Sequence, residues 1–162
     1  MPFKQISSSI ELLKIMNILY KNKGYYVNVV PQDKLTKITP KKNSIIIVNF
    51  ERSTQYGVGH WCLILCKDEY VLYADPFGQQ PPESVLQFMR RFKQMETVNQ
   101  LLYNKRQVQT FKDEYCGWFC LKIADLIINK KMSVINAIKN INSKSILSYG
   151  KQLYAKYLKE GS

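Results

Sequence analysis

The chain has 162 residues and a formal net charge of +12, from 24 Lys and Arg against 12 Asp and Glu. Its hydrophobic content of 46% excludes a disordered chain, and its length predicts a single domain over residues 1–162. No apolar run approaches the ~20 residues that span a bilayer, and the start Met1-Pro2-Phe3-Lys4 is unlike a signal peptide. We therefore expect a protein that is neither secreted nor held in a membrane.

The excess of cations predicts contact with a polyanion, first of all nucleic acid. The alternative is a lysine-rich composition typical of an AT-rich genome, in which the lysines only decorate a solvated surface. The two-to-one ratio of basic to acidic residues favours contact with DNA. It does not indicate whether such contact is sequence-specific.

Apolar spacing predicts the elements in chain order. A capping box at Ser8 and Glu11, followed by apolar residues at helical spacing, predicts a first helix over about 9–22. The other predicted elements are strands over 25–30, 44–50, 60–66 and 70–75, a helix over 83–92, a strand over 106–111, and helices over about 117–130, 133–140 and 144–158. A helix, then strands, then helices indicates an α+β fold.

Cys116 opens the apolar run that predicts the helix over 117–130. A thiol at a helix N-terminus lies in the positive field of the first N–H groups, which lowers its pKa and favours the nucleophilic thiolate. Gly117 beside it would let a substrate backbone come close. Cys116 is therefore a candidate nucleophile, and core packing is its alternative role.

The four cysteines form two Cys-x-x-x-Cys pairs, Cys62 with Cys66 and Cys116 with Cys120. Structural zinc sites usually space each pair by two residues in a tight knuckle, whereas these pairs fall in a predicted strand and a predicted helix. We expect no metal. Cys62, Cys66 and Cys120 are interpreted as small, reduced core residues.

His60 is the single histidine and so the natural candidate for a catalytic base. If the turn of the predicted hairpin leaves Cys66 opposite Val71, Asp75 becomes a diagonal neighbour of His60, with about 7 Å or less between their Cβ atoms. A turn one residue longer would put the two on opposite faces. In the first register, Asp75 orients His60 and His60 deprotonates Cys116.

Gln109 precedes Cys116 by seven residues, at the end of the predicted strand over 106–111. Its amide could donate to an oxyanion together with the Cys116 backbone N–H, and Gln107 has the same alternation parity. Trp61, next to the base, could wall the cleft against water. Each residue also has an ordinary structural role, so the pattern alone supports a cysteine–histidine site without establishing one.

Four short sequence motifs follow one another along the chain, and their order is more specific than any one of them alone. They are Gly59-His60-Trp61, Asp75-Pro76-Phe77-Gly78, Gln109, and Cys116-Gly117-Trp118-Phe119-Cys120. Together, over about residues 44–128, they resemble the adenovirus-type maturation proteases, which belong with the SUMO-specific deconjugating proteases. The resemblance implies a papain-like, adenain-type fold, with a central mixed sheet packed between helices and the nucleophile at the N-terminus of a buried helix. It assigns His60 as base, Asp75 as third triad member, Cys116 as nucleophile and Gln109 to the oxyanion hole.

The resemblance also implies a function: cleavage of capsid and other virion precursor proteins during particle maturation, after small residues such as Gly-Gly-x. We expect a monomer in the virion, the host cytoplasm or a viral factory, with DNA or an activating peptide as candidate cofactors. Residues 93–108 contain no cysteine, so the disulfide-linked activating peptide of the adenoviral enzyme is not expected.

Three alternatives stay open. One is an isopeptidase that removes ubiquitin-like modifiers such as SUMO, and a more distant one is an acyltransferase using the same residues. The third is a nonenzymatic, basic, DNA-binding virion protein.

Overall fold

A five-stranded mixed sheet forms the centre of the protein in the computed structural model, which describes residues 9–50, 60–108 and 115–158. Its strands are β1 (Tyr26–Pro31), β2 (Ser44–Phe50), β3 (His60–Lys67), β4 (Tyr70–Ala74) and β5 (Gln100–Tyr103). They lie side by side in chain order. The outer pairs β1–β2 and β4–β5 are parallel, and the inner pairs β2–β3 and β3–β4 are antiparallel.

The helices pack on both faces of this sheet. They are α1 (Ser9–Tyr20), α2 (Glu83–Lys93), α3 (Cys116–Ala124), α4 (Val134–Asn140) and α5 (Ser143–Leu153). A π-helical turn extends α3 over Asp125–Asn129 and another extends α5 over Tyr154–Leu158, while a 3₁₀ helix over Gln32–Lys37 joins β1 to β2.

Alternation along the central strands divides the core into two layers, because successive side chains of a strand point to opposite faces. On one face Ile45 and Ile47 of β2 pack with α1, α3 and α5. On the other face Ile46 and Val48 pack with α2 and the 3₁₀ helix. A strand buried on both faces reads as an unbroken apolar run, which is why 44–50 could be predicted. The expected α+β architecture, a central mixed sheet between helices, is confirmed.

Most predicted elements are confirmed to within a few residues. The first helix ends at Tyr20 and is followed by a 3₁₀ turn, after which Gly24 adopts a left-handed conformation with φ 84°. The Ser8 half of its predicted capping box lies outside the described residues. No helix in the described ranges is long and apolar enough to cross a membrane.

The strand predicted over 106–111 is wrong for its described part, since residues 106–108 are not in a strand. The fifth strand lies earlier, at Gln100–Tyr103, where Leu101 and Leu102 pair in parallel with Val71 and Leu72 of β4. An apolar pattern of four residues is too short to predict a strand, and this segment becomes a strand because it pairs with β4.

Candidate active site

The β3–β4 hairpin brings His60 and Asp75 together. Its register pairs Cys66 with Val71, which confirms the register that places both side chains on one face. His60 begins β3 and Asp75 directly follows β4, and His60 Nε2 lies 3.0 Å from Asp75 Oδ1. The two residues are 6% and 2% exposed, so this is a buried charge-assisted contact.

A tight turn fixes the Asp75 carboxylate. The Phe77 N–H donates to Asp75 Oδ1 at 2.8 Å, and the Gly78 N–H donates to the Asp75 carbonyl at 2.9 Å. Gly78 has a φ of 72°, and a Cβ on it would lie 2.7 Å from the carbonyl oxygen of Lys105. Glycine is therefore required there both by conformation and by the close approach of another backbone segment.

Asn104 holds the backbone of the same residue from the other side. Its Oδ1 accepts from the Asp75 N–H at 2.8 Å, and its Nδ2 donates to the carbonyls of Asp75 at 2.7 Å and Arg106 at 3.1 Å. Asn104 is 2% exposed. The sequence pattern did not indicate Asn104, because a single asparagine after an unrecognised strand carries no local signal. The Asp75 backbone is thus held by bonds from two segments of the chain.

Aromatic rings set the plane of the His60 imidazole. Phe77 stacks on it with ring centroids 4.4 Å apart and 9° between the planes, and the Phe50 ring lies 6.1 Å away. With the ring in this orientation Nε2 faces Asp75, so the tautomer with the proton on Nε2 donates to the carboxylate. Nδ1 is then the nitrogen that can accept a proton. Phe77 was visible as part of a motif, but the sequence did not suggest its stacking role.

Cys62 also reaches the base. Its Sγ lies 3.2 Å from His60 Nε2, and burial raises the pKa of this thiol well above its ordinary value. In the tautomer with a proton on Nε2, Asp75 Oδ1 and Cys62 Sγ are both acceptors for it. All four cysteines are buried and free, as expected of Cys62, Cys66 and Cys120, but Cys62 does more than fill the core.

Cys116 is the first residue of α3 and lies against the start of β3. Backbone N–H groups of Trp61, Cys116 and Gly117 point at its thiol and lower its pKa, but burial outweighs them and raises the pKa to about 11. The sequence predicted that the helix N-terminus would lower the pKa of Cys116, and this prediction is wrong. The reason is desolvation of a thiolate at a residue that is 7% exposed.

The remaining predicted site residues are placed as follows. Trp61 is 5% exposed, and its side chain packs in the core with α1 and α3. Gly117 is buried in the first turn of α3, and Gln107 is exposed. Gly59 and Gln109 lie outside the described residues. Next to Gln109 in the sequence, Val108 donates its N–H to the Pro76 carbonyl at 2.8 Å, which ties the segment before Gln109 to the Asp75 turn.

A groove of about 910 Å³ lies beside β5, between the sheet and α4. Its lining includes the apolar side chains Tyr70, Leu102, Met132, Val134, Ile135 and Ile138 and the cations Lys67, Lys105, Arg106, Lys131 and Lys139, with Asp68 as an acid. Arg106 donates to the carbonyls of Ile138 and Ile141, both at 2.7 Å, and so joins the segment after β5 to the end of α4.

Comparison with known proteins gives the fold. No family model and no curated protein matches the chain. Among solved structures, the ASFV pS273R protease superposes with a TM-score of 0.73 at 13% identity, over 92% of this chain and 67% of that one. ChlaDub1 from Chlamydia trachomatis superposes with a TM-score of 0.60 at 12% identity, over 99% of this chain and 96% of that one.

The chain has an α+β fold that is similar to the folds of SUMO-protease-like cysteine proteases. Within that fold, the comparisons do not single out the adenovirus-type enzymes. The candidate site residues are therefore assigned from the geometry of this chain. A buried His60–Asp75 pair lies at the start of β3, and Cys116 begins the helix that packs against that strand.

Proposed function

We propose that this chain is a cysteine endopeptidase that cleaves virion precursor proteins during particle maturation. The observation that carries the proposal is the buried contact of 3.0 Å between His60 Nε2 and Asp75 Oδ1, beside a thiol that receives the Trp61 N–H. A cysteine nucleophile needs a base, and the base needs an orienting partner, which are the roles of His60 and Asp75.

The mechanism begins with proton transfer. Asp75 accepts from Nε2–H, so Nδ1 of His60 takes the proton of the Cys116 thiol as sulfur attacks the scissile carbonyl. Because the pKa of the free thiol is about 11, the thiolate forms at the moment of attack and does not stand ready beforehand. The imidazolium then protonates the leaving amine. A thioester remains, which water activated by His60 hydrolyses.

The oxyanion of this reaction requires donors. The N–H groups of Cys116 and Gly117 already point at the sulfur, and they are the backbone donors in our proposal. Gln109 is proposed as the side-chain donor. The support is that Val108, the residue immediately before Gln109 in the sequence, donates its N–H to the Pro76 carbonyl and so ties this segment to the Asp75 turn. Gly117 is proposed to border the substrate, whereas Trp61 contributes its backbone N–H to the Cys116 thiol and keeps its side chain in the core.

The test is labelling with a thiol-reactive electrophilic peptide that ends in Gly-Gly, followed by mass mapping of the adduct. We expect modification at Cys116 alone, and its loss in His60→Ala. Cys66→Ala, which removes a buried thiol at the far end of β3, is the matched control and should label like the unmodified chain. Equal labelling of several cysteines, or undiminished labelling in His60→Ala, would contradict the proposal.

Cleavage of precursor peptides provides the second measurement. Cys116→Ala should abolish turnover, and Gln109→Ala should lower kcat on the order of 10²-fold if it supplies an oxyanion donor. Full cleavage by Cys116→Ala would contradict Cys116 as the nucleophile, whereas no cleavage by the unmodified chain, together with DNA binding that Cys116→Ala leaves intact, would favour the nonenzymatic DNA-binding protein. Faster cleavage of a conjugate of a ubiquitin-like modifier than of a capsid precursor would favour the isopeptidase.

A further inference from the structure

Three different metal-binding atoms meet at the base of the proposed triad. His60 Nε2, Cys62 Sγ and a carboxylate oxygen of Asp75 all lie within 4.8 Å of one another, and all three residues are buried. Nitrogen, thiolate sulfur and carboxylate oxygen are the donor types that Zn²⁺ takes in proteins. Of the Cys62/Cys66 pair only Cys62 belongs to this cluster, since Cys66 lies four residues further along β3 and pairs with Val71.

The spacing of the donors suits a tetrahedral ion. Bond lengths of about 2.0–2.3 Å place neighbouring ligand atoms of Zn²⁺ roughly 3.3–3.7 Å apart. The observed separations are 3.0 Å between His60 Nε2 and Asp75 Oδ1 and 3.2 Å between His60 Nε2 and Cys62 Sγ. The third pair, Cys62 Sγ and the Asp75 carboxylate oxygen, lies within 4.8 Å. A tetrahedral ion would therefore lengthen the two short contacts by a few tenths of an ångström and bring the third pair to a similar separation.

The charge balance favours the same ion. A Cys62 thiolate and the Asp75 carboxylate would together neutralise a divalent cation, so no net charge would be buried with it. Mg²⁺ and Ca²⁺ prefer sites made of oxygen atoms, and a set of one nitrogen, one sulfur and one oxygen selects against them.

We propose that His60, Cys62 and Asp75 bind Zn²⁺ and that this binding switches the site off. Zinc occupies Nε2, so the Nε2 proton moves to Nδ1 and His60 stays neutral, while Cys62 releases one proton to solvent. Nδ1 then carries a proton and cannot accept the one on Cys116. The inhibitory effect rests on the proposed protease function, whereas zinc binding itself does not.

The test must distinguish this zinc site from a second arrangement of zinc ligands at His60. Zinc could instead be held by the Cys116 thiol and the other nitrogen of His60, as an adjacent thiol and imidazole can hold it. The two arrangements differ in which cysteine they need. Cys62→Ser should abolish the first and spare the second, and Cys116→Ala should do the reverse.

The experiment is Zn²⁺ binding to the full chain, measured by competition with a chromogenic chelator. We expect Cys62→Ser to weaken binding more than about 100-fold, since even the loss of an outer-shell partner costs 10- to 100-fold. Cys66→Ser and Cys116→Ala should bind like the unmodified chain. Loss of binding in Cys116→Ala with retention in Cys62→Ser would overturn the proposal, and so would an unmodified chain that does not bind zinc.

Further measurements keep the zinc site testable if Cys62→Ser fails to fold. They also separate the zinc site from the proposed protease function. Asp75→Asn removes a second ligand and should also weaken binding, and Co²⁺ should give a thiolate-to-metal absorption band that survives in Cys116→Ala. In peptide cleavage, zinc should inhibit the unmodified chain and Cys66→Ser alike, and chelator should restore both. Binding without any cleavage in metal-free buffer would refute the protease alone, and cleavage without binding would refute the metal site alone.

Discussion

The two ends of the β3–β4 hairpin are built in opposite ways. At one end His60 and Asp75 are buried, and the carboxylate is held by bonds from Phe77 and His60. At the other end Lys67 Nζ lies 2.8 Å from Asp68 Oδ2, but the Asp68 side chain is 68% exposed and borders the cationic groove. Two acid–base pairs of nearly equal length thus have very different surroundings.

The difference shows how burial changes the free-energy contribution of an acid–base pair. An exposed pair in water is screened and contributes about 0–1 kcal/mol, whatever its length. The buried Asp75 has lost its water, so its stabilisation depends on a few fixed donors, and removing any one of them is costly. Under the proposed function the chemistry takes place at the buried end, and the exposed end is where diffuse attraction to a polyanion is proposed.

The largest effect should follow from removing the buried charge. Asp75→Asn keeps an amide oxygen that can accept from Nε2 but no longer stabilises the imidazolium, so we expect kcat/KM for peptide cleavage to fall on the order of 10²-fold or more, with some activity left. Asp68→Asn, at the other end of the same hairpin, is the matched control and should leave kcat/KM within a factor of about two. Equal losses in the two variants would contradict the comparison.

The second effect concerns Asn104, whose side chain both holds Asp75 and borders the groove. Asn104→Ala leaves the buried Asp75 N–H without its acceptor, so the free energy of unfolding in urea should fall by about 1–3 kcal/mol. The exposed Asn99, one residue before β5, gives the control Asn99→Ala, which should change it by less than about 0.5 kcal/mol. An unchanged Asn104→Ala would mean that the turn alone holds Asp75.

A third effect distinguishes the buried end by its response to alkali. The pKa of Cys116 is raised from 9.0 to about 11 in the folded chain, so between these values the unfolded chain loses a proton that the folded chain keeps. This contribution to stability is complete below pH 9 and is lost as the pH rises towards 11, by about 2 kcal/mol. Cys116→Ser, which does not ionise, should therefore show a shallower fall of unfolding free energy than the unmodified chain across this range. Parallel curves would refute the burial of this thiol.

The buried end was largely predictable because local rules set it. Alternation along β3 and β4 placed His60 and Asp75 on one face once the turn length was given, and the apolar run over 44–50 indicated the central strand. The parts that could not be predicted depend on distant partners. Asn104 meets Asp75 across 29 residues of sequence, and the raised pKa of Cys116 results from the packing of whole elements around it.

The smallest effect should come from the exposed end. If the cations of the groove bind DNA phosphates, as the net charge suggests, each lysine removed from them should lower the slope of log affinity against log salt by about 0.9. Lys105→Ala with Lys139→Ala should therefore reduce the slope by about two and weaken binding several-fold in moderate salt, while peptide cleavage without DNA stays the same. The control pair Lys34→Ala with Lys37→Ala removes the same charge from the 3₁₀ helix that follows β1, at the opposite edge of the sheet. An equal weakening in both pairs would mean that DNA responds to the net charge alone, and that the groove has no privileged role in holding it.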